Sequence, residues 1–74
     1  MDRQKELSLL RRAMAEAEAA IRRGDEPYGA VIATPQGEVI SAAGNEENTR
    51  CDPTAHAEML AIRKASEICG SKSL

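Results

Sequence analysis

A short apolar segment followed by a tight turn most constrains how this chain of 74 residues can fold. Residues 29–33 (Gly-Ala-Val-Ile-Ala) form an apolar run, residues 34–37 (Thr-Pro-Gln-Gly) are typical of a β-turn, and residues 38–43 continue as a second extended segment. We therefore predict an antiparallel hairpin. Because Val31 and Ile32 are adjacent and both apolar, the first strand is expected to be covered on both faces.

Two amphipathic helices are predicted on either side of the hairpin. The first spans residues 3–23, and Gly24 supplies its left-handed C-terminal stop. Its apolar face is predicted from positions at helical spacing, namely Leu7, Leu10, Met14, Ala17 and Ile21. The second is predicted over residues 53–68, with Asp52 as its cap and Pro53 at its first position, ending before Gly70. Residues 44–52 are predicted to be a polar loop, with Glu46 and Glu47 as ordinary loop residues.

The composition excludes several classes of protein. The sequence has 13 Ala but only 12 Val, Leu and Ile together, and a formal net charge of −2, which favours a folded chain with a thin core. No apolar run is long enough for a membrane span, and the N-terminus has no secretory signal, so we expect a cytoplasmic protein with no membrane partner. Two cysteines are too few for a disulfide scaffold. The acidic balance argues against nucleic acid as a partner.

The predicted helix–hairpin–helix unit has too small a sheet to be stable alone. A two-stranded hairpin is marginal even between two helices, and a doubly covered strand needs neighbours at its edges. We therefore expect residues 1–74 to be part of a larger unit, completed by a homo-oligomer or by a complementing C-terminal half.

His56 and Glu58 are the first candidates for chemistry. His56 is the only histidine of the sequence, and Glu58 follows two residues later in the predicted helix. At this spacing two side chains inside a helix point in different directions, but at a helix N-terminus both can reach the same ligand. A surface histidine and a glutamate that complements the helix dipole are the alternative reading.

A longer pattern surrounds this pair. Gly44-Asn45, residues 52–58 (Asp-Pro-Thr-Ala-His-Ala-Glu) and residues 61–65 closely resemble the zinc-dependent nucleobase and nucleoside deaminases, and residues 27–32 resemble the first strand of that family. The resemblance covers nearly the whole chain. It is closest to the guanine deaminases, next to the tRNA adenosine deaminases. It implies an α/β fold, with this chain as the N-terminal part (helix–hairpin–helix) of the three-layer α/β/α cytidine-deaminase-like fold.

The resemblance also implies roles for single residues. In this family a zinc ion held by one His and two Cys activates a water molecule, and a Glu that is not a ligand shuttles protons. By position, His56 is a zinc ligand and Glu58 the catalytic proton shuttle. Asn45, the backbone of Ala57 and the ring of Tyr28 are expected to bind the substrate.

The family signature continues with P-C-x-x-C, which this sequence lacks, so residues 1–74 are expected to be a partial deaminase domain with one of three zinc ligands. Cys69 is too far along the helix from His56 to share a metal, and Cys51 is expected to be a loop thiol. The expected function is zinc-dependent hydrolytic deamination of a small-molecule purine base or nucleoside, guanine first, with this chain inactive alone. The alternatives are deamination of adenosine in tRNA, or a non-catalytic fragment that acts as an interaction module.

Overall fold

The computed structural model describes residues 1–70, in the order α1 (Arg3–Arg23), β1 (Gly29–Ala33), β2 (Val39–Gly44), α2 (Glu47–Arg50) and α3 (Ala57–Cys69). The bounds predicted for α1 and β1 are confirmed, and β2 is displaced by one residue from its predicted position. The tail at residues 71–74 lies outside the described residues. Within residues 1–70, no helix is both long and apolar enough to cross a membrane.

Helix α1 has a cap at each end, and its C-terminal cap is the predicted Gly24. The carboxylate of Asp2 accepts a hydrogen bond from the backbone N–H of Lys5 at 2.8 Å. Gly24 adopts a left-handed conformation with φ of 89°, and its N–H caps the carbonyls of the last turn. Glycine is favoured in this conformation because glycine has no Cβ.

The two strands form an antiparallel hairpin with an irregularity near its turn. Gly29 pairs with Gly44 at the open end, and the register shifts between Ile32 and Ala33. The predicted turn is confirmed, since the N–H of Gly37 donates to the carbonyl of Thr34 at 2.9 Å.

The two long helices cover opposite faces of this hairpin. The hydroxyl of Ser41 donates to the carbonyl of Ala61 at 2.7 Å, so this side chain of β2 faces α3. Gly44, three residues later and therefore on the other face, lies against the backbone of α1 at Glu16. The structure therefore has helix, sheet and helix layers, which agrees with the predicted α/β architecture and with the two-sided cover of β1.

The packing face of α1 differs from the predicted one. Leu7, Leu10, Met14 and Ile21 are exposed, whereas Ala20 is fully buried. The cause is the close approach of α1 to the sheet: a Cβ on Gly29 would collide with the carbonyl oxygen of Ala13. Only small side chains fit at such a distance, so the alanine face packs and the leucine face does not.

The second helical prediction is wrong at its start, because α3 begins at Ala57 and not at Pro53. The carboxylate of Asp52 accepts hydrogen bonds from the N–H and hydroxyl of Thr54, at 2.9 and 2.7 Å, and so closes a separate turn. Ala55 is fully buried in a cluster with Ala43, Leu60 and Ala61. The predicted loop at residues 44–52 also contains the short helix α2.

Candidate functional site

The start of α3 places His56 and Glu58 side by side. His56 is the N-cap residue, with extended backbone angles (φ −73°, ψ 148°), and Glu58 lies in the first helical turn. The Nδ1 atom of His56 is 3.4 Å from Oε1 of Glu58. A pair at this spacing would diverge inside a helix, and the extended N-cap backbone is what brings the two side chains together.

A pocket of about 220 Å³ lies at this end of α3. Its walls come from the residue before β1, the segment after β2, and the N-terminus of α3. The residues that line it are Tyr28, Asn45, Glu47, His56, Ala57 and Glu58. All five site residues predicted from the sequence are therefore brought to one place, and their roles stay predictions.

Asn45 is the most firmly held residue of this pocket and is only 1% exposed. Its N–H donates to the carbonyl of Tyr28 at 3.0 Å, and its carbonyl accepts from Nη2 of Arg23 at 2.9 Å. Its side chain bonds twice to Glu47, through Oδ1 to the N–H at 2.9 Å and through Nδ2 to Oε1 at 2.8 Å. Backbone and side chain are thus fixed from three separate segments.

Sequence reasoning missed Glu47, which was predicted to be an ordinary loop residue. Its Oε1 lies 3.2 Å from Nε2 of His56 and also accepts the bond from Asn45. Only its distance of two residues from Asn45, which permits a local side-chain turn, was visible in the sequence.

Tyr28 and Ala57 both line the pocket but differ in exposure. Tyr28 is 61% exposed, so its ring is available to a ligand. Ala57 is buried, and α3 has no side-chain cap, so the first N–H groups of the helix lack the side-chain partner that usually satisfies one of them.

Two nearby carboxylates outside the pocket have lowered pKa values. Hydrogen bonds from Thr49, first from its hydroxyl, hold the pKa of Asp25 below its ordinary value. Hydrogen bonds from the hydroxyl and N–H of Thr54 likewise lower the pKa of Asp52. Asp25 thereby holds α2, which carries Glu47, and Asp52 closes the turn that precedes His56.

Zinc fits this donor set only in part. Within residues 1–70, no three His, Cys, Asp or Glu side chains are close enough to hold a metal ion together. His56 offers one imidazole ligand. Cys51 is exposed and lies within hydrogen-bonding range of the carbonyl of Asn48, and Cys69 is about 20 Å from His56 along α3. The described residues therefore supply one ligand of a zinc centre and do not make a complete one.

Comparison with known proteins identifies the family. Residues 3–74 match the family model described as the cytidine and deoxycytidylate deaminase zinc-binding region. The chain is 46% identical over 65 residues to a tRNA-specific adenosine deaminase of Aquifex aeolicus, covering 88% of this chain and 42% of that protein. It is 41% identical over 68 residues to a guanine deaminase of Bacillus subtilis, covering 90% of this chain and 43% of that protein.

A solved structure agrees with the sequence comparisons. It comes from work on A-to-I editing by tRNA:A34 deaminases. It superimposes on this chain with a TM-score of 0.85 at 37% sequence identity. The match covers 93% of this chain and 52% of that one. Of the two curated relatives named above, the chain spans less than half the length. It belongs to the cytidine and deoxycytidylate deaminase family and has the N-terminal part of that fold, as the sequence resemblance predicted, and zinc belongs to the complete family site.

Proposed function

We propose that the protein carrying this chain is a hydrolytic deaminase of a purine base or nucleoside. In this reaction water supplies the oxygen that replaces the exocyclic amino group, and ammonia leaves. The observation that supports the proposal is the pocket at the N-terminus of α3, where a carboxylate, an imidazole and a buried amide meet beside an exposed aromatic ring. The relatives named as purine deaminases point in the same direction.

Glu58 is proposed as the catalytic residue that moves the proton. Its side chain is 64% exposed and adjoins the imidazole of His56, so it can reach a water molecule and a ligand in the open pocket. A carboxylate there takes a proton from the attacking water and returns it to the leaving amine. His56 is proposed as a zinc ligand, and zinc, when bound in the complete site, supplies a water of lowered pKa.

Three further residues are proposed to bind the base. One Nδ2 hydrogen and one lone pair of Oδ1 remain on Asn45 beyond its two bonds to Glu47, which suits an amide that reads a purine edge. The backbone N–H of Ala57 lies in the uncapped first turn of α3. The ring of Tyr28 offers an apolar face for stacking.

Two substrates compete within this proposal. Guanine is the first candidate, because an aromatic ring at an open, small pocket and a net charge of −2 suit a free base. Adenosine in tRNA is the second candidate, favoured by the higher identity to the Aquifex aeolicus tRNA-specific adenosine deaminase and by the structural superposition. The prediction that nucleic acid is no partner is not supported by these relatives.

One assay tests the function and separates the two substrates. The whole protein carrying this chain is purified with zinc, and ammonia release is measured with guanine, with adenosine and cytidine, and with unmodified tRNA. We expect turnover of guanine or of tRNA adenosine, the latter also visible as inosine in the digested tRNA. Turnover of cytidine without turnover of any purine would overturn the proposal.

A further inference from the structure

We propose that Glu47 is a positioning residue of this pocket, which holds the amide of Asn45 and the imidazole of His56 through one carboxylate oxygen. Its Oε1 accepts a hydrogen bond from Nδ2 of Asn45 at 2.8 Å and lies 3.2 Å from Nε2 of His56. The two residues proposed to bind the base and the metal thus both contact one carboxylate oxygen, although they come from different segments of the chain.

The contact with Glu47 decides how the His56 ring is presented. A neutral imidazole has one N–H donor and one acceptor nitrogen. Its Nε2 lies nearer to a carboxylate of the loop, at 3.2 Å, than its Nδ1 does to Glu58, at 3.4 Å. A proton on Nε2 would face this carboxylate, and the lone pair of Nδ1 would then face the side of the pocket where Glu58 lies. A carboxylate this near to one ring nitrogen favours the tautomer that carries its proton there and restricts the ring orientation.

The backbone around Asn45 does not depend on the Glu47 side chain. The N–H of Glu47 donates to Oδ1 of Asn45 whatever side chain stands at position 47, and Arg23 and Tyr28 hold the Asn45 backbone independently. Removing the Glu47 carboxylate therefore releases one bond of the Asn45 amide and the contact with His56 while leaving the turn in place.

Glu46 provides a matched control beside it. Its carboxylate pairs with Arg50 at 3.1 Å, and Glu46 does not line the pocket. Glu46→Ala and Glu47→Ala remove the same charge from adjacent positions of similar exposure, with 22% and 29% of the side chain exposed. Only the second variant removes an acceptor from the pocket.

The test uses NMR on the whole protein after removal of metal by a chelator, at about pH 8.5, two units above the ordinary pKa of free histidine. In wild type and in Glu46→Ala we expect the His56 ring nitrogens to report the Nε2–H tautomer and one Asn45 side-chain proton to exchange slowly. In Glu47→Ala the ring should return toward the tautomer mixture of free histidine, and the Asn45 proton should lose its protection. Glu47→Gln should retain both signatures, since its amide oxygen accepts the same bonds.

A binding measurement completes the test. Guanine and adenosine are titrated separately into the metal-free protein, and we expect Glu47→Ala to weaken binding by roughly tenfold, the loss of one well-placed hydrogen bond. Unchanged Asn45 and His56 signals in Glu47→Ala would overturn the proposal. The inference rests on the proposed function for the roles of Asn45 and His56. If neither purine binds even to wild type, the proposed function fails, and the two NMR signatures still decide the role of Glu47.

Discussion

Asp25 accepts two hydrogen bonds from Thr49, from the hydroxyl at 2.6 Å and from the N–H at 2.8 Å, across 24 residues of sequence. The same carboxylate accepts a hydrogen bond from Nε of Arg23 at 3.1 Å. Nη2 of the same guanidinium donates to the backbone carbonyl of Asn45. The C-terminus of α1 therefore fixes both α2 and the segment that carries Asn45. No buried side-chain polar atom within residues 1–70 lacks a hydrogen-bond partner.

Removing the Asp25 carboxylate is expected to destabilise the fold in a pH-dependent way. Hydrogen bonds from Thr49 and Arg23 lower the pKa of Asp25 below its ordinary value of 3.8, so the unfolded chain binds more protons between the two values. The stabilisation is therefore complete above the ordinary value and is lost as the pH falls through the folded pKa. Urea unfolding from about pH 7 to about pH 2.5 should show Asp25→Asn less stable than wild type at neutral pH and this difference shrinking in acid.

Glu26→Gln is the control for this measurement, since Glu26 is an exposed neighbour of Asp25. Some acid sensitivity should survive in Asp25→Asn because the pKa of Asp52 is also lowered, by Thr54. An Asp25→Asn variant as stable as wild type at neutral pH would contradict the assignment.

The contact between β1 and α1 predicts the cost of adding one methyl group. Gly29→Ala places a Cβ against the backbone of Ala13 and Ala17, so α1 must move away from the sheet. We expect a loss of at least about 2 kcal/mol in the free energy of unfolding, within the range for overpacked sites. Gly24→Ala meets no neighbouring atom but must keep a φ of 89°, and it should cost about 1 kcal/mol. A smaller loss for Gly29→Ala than for Gly24→Ala would show that α1 does not pack this closely.

Glu58→Gln is expected to abolish most turnover of the whole protein while its zinc content stays unchanged. The amide has the same shape as the carboxylate but cannot carry a proton, and loss of such a group lowers the rate roughly 10²- to 10⁴-fold. Ammonia release and metal analysis are measured together. Glu67→Gln, an exposed glutamate near the other end of α3, should keep full activity, and near-normal activity of Glu58→Gln would exclude Glu58 as the proton shuttle.

His56→Ala is expected to lose zinc as well as turnover, because His56 supplies the one imidazole ligand of the described pocket. Cys51→Ser and Cys69→Ser should retain zinc, since neither thiol lines the pocket. Metal analysis of the three variants after dialysis checks this. A full zinc content in His56→Ala would place the metal elsewhere in the protein.

Local signals explain which parts of the structure could be predicted. The turn at residues 34–37 and the C-terminal ends of α1 and α3 depend on backbone angles that glycine and proline control within a few residues. They can therefore be predicted from the sequence. The pocket residues Tyr28, Asn45, His56, Ala57 and Glu58 were predicted through a family pattern, and the structure gathers them. Their grouping could not have been obtained from spacing alone.

The sequence by itself determined the helix–hairpin–helix order, the bounds of α1 and β1, and the family. Tertiary structure decided which face of α1 packs, because the approach of Gly29 to the α1 backbone selects small side chains over leucines. It also decided where α3 begins, since the bonds of Asp52 to Thr54 and the burial of Ala55 outweigh a good local capping signal. That late start gives His56 an extended backbone and brings it against both Glu58 and Glu47. This is a meeting of α3 with α2 that no local pattern encodes.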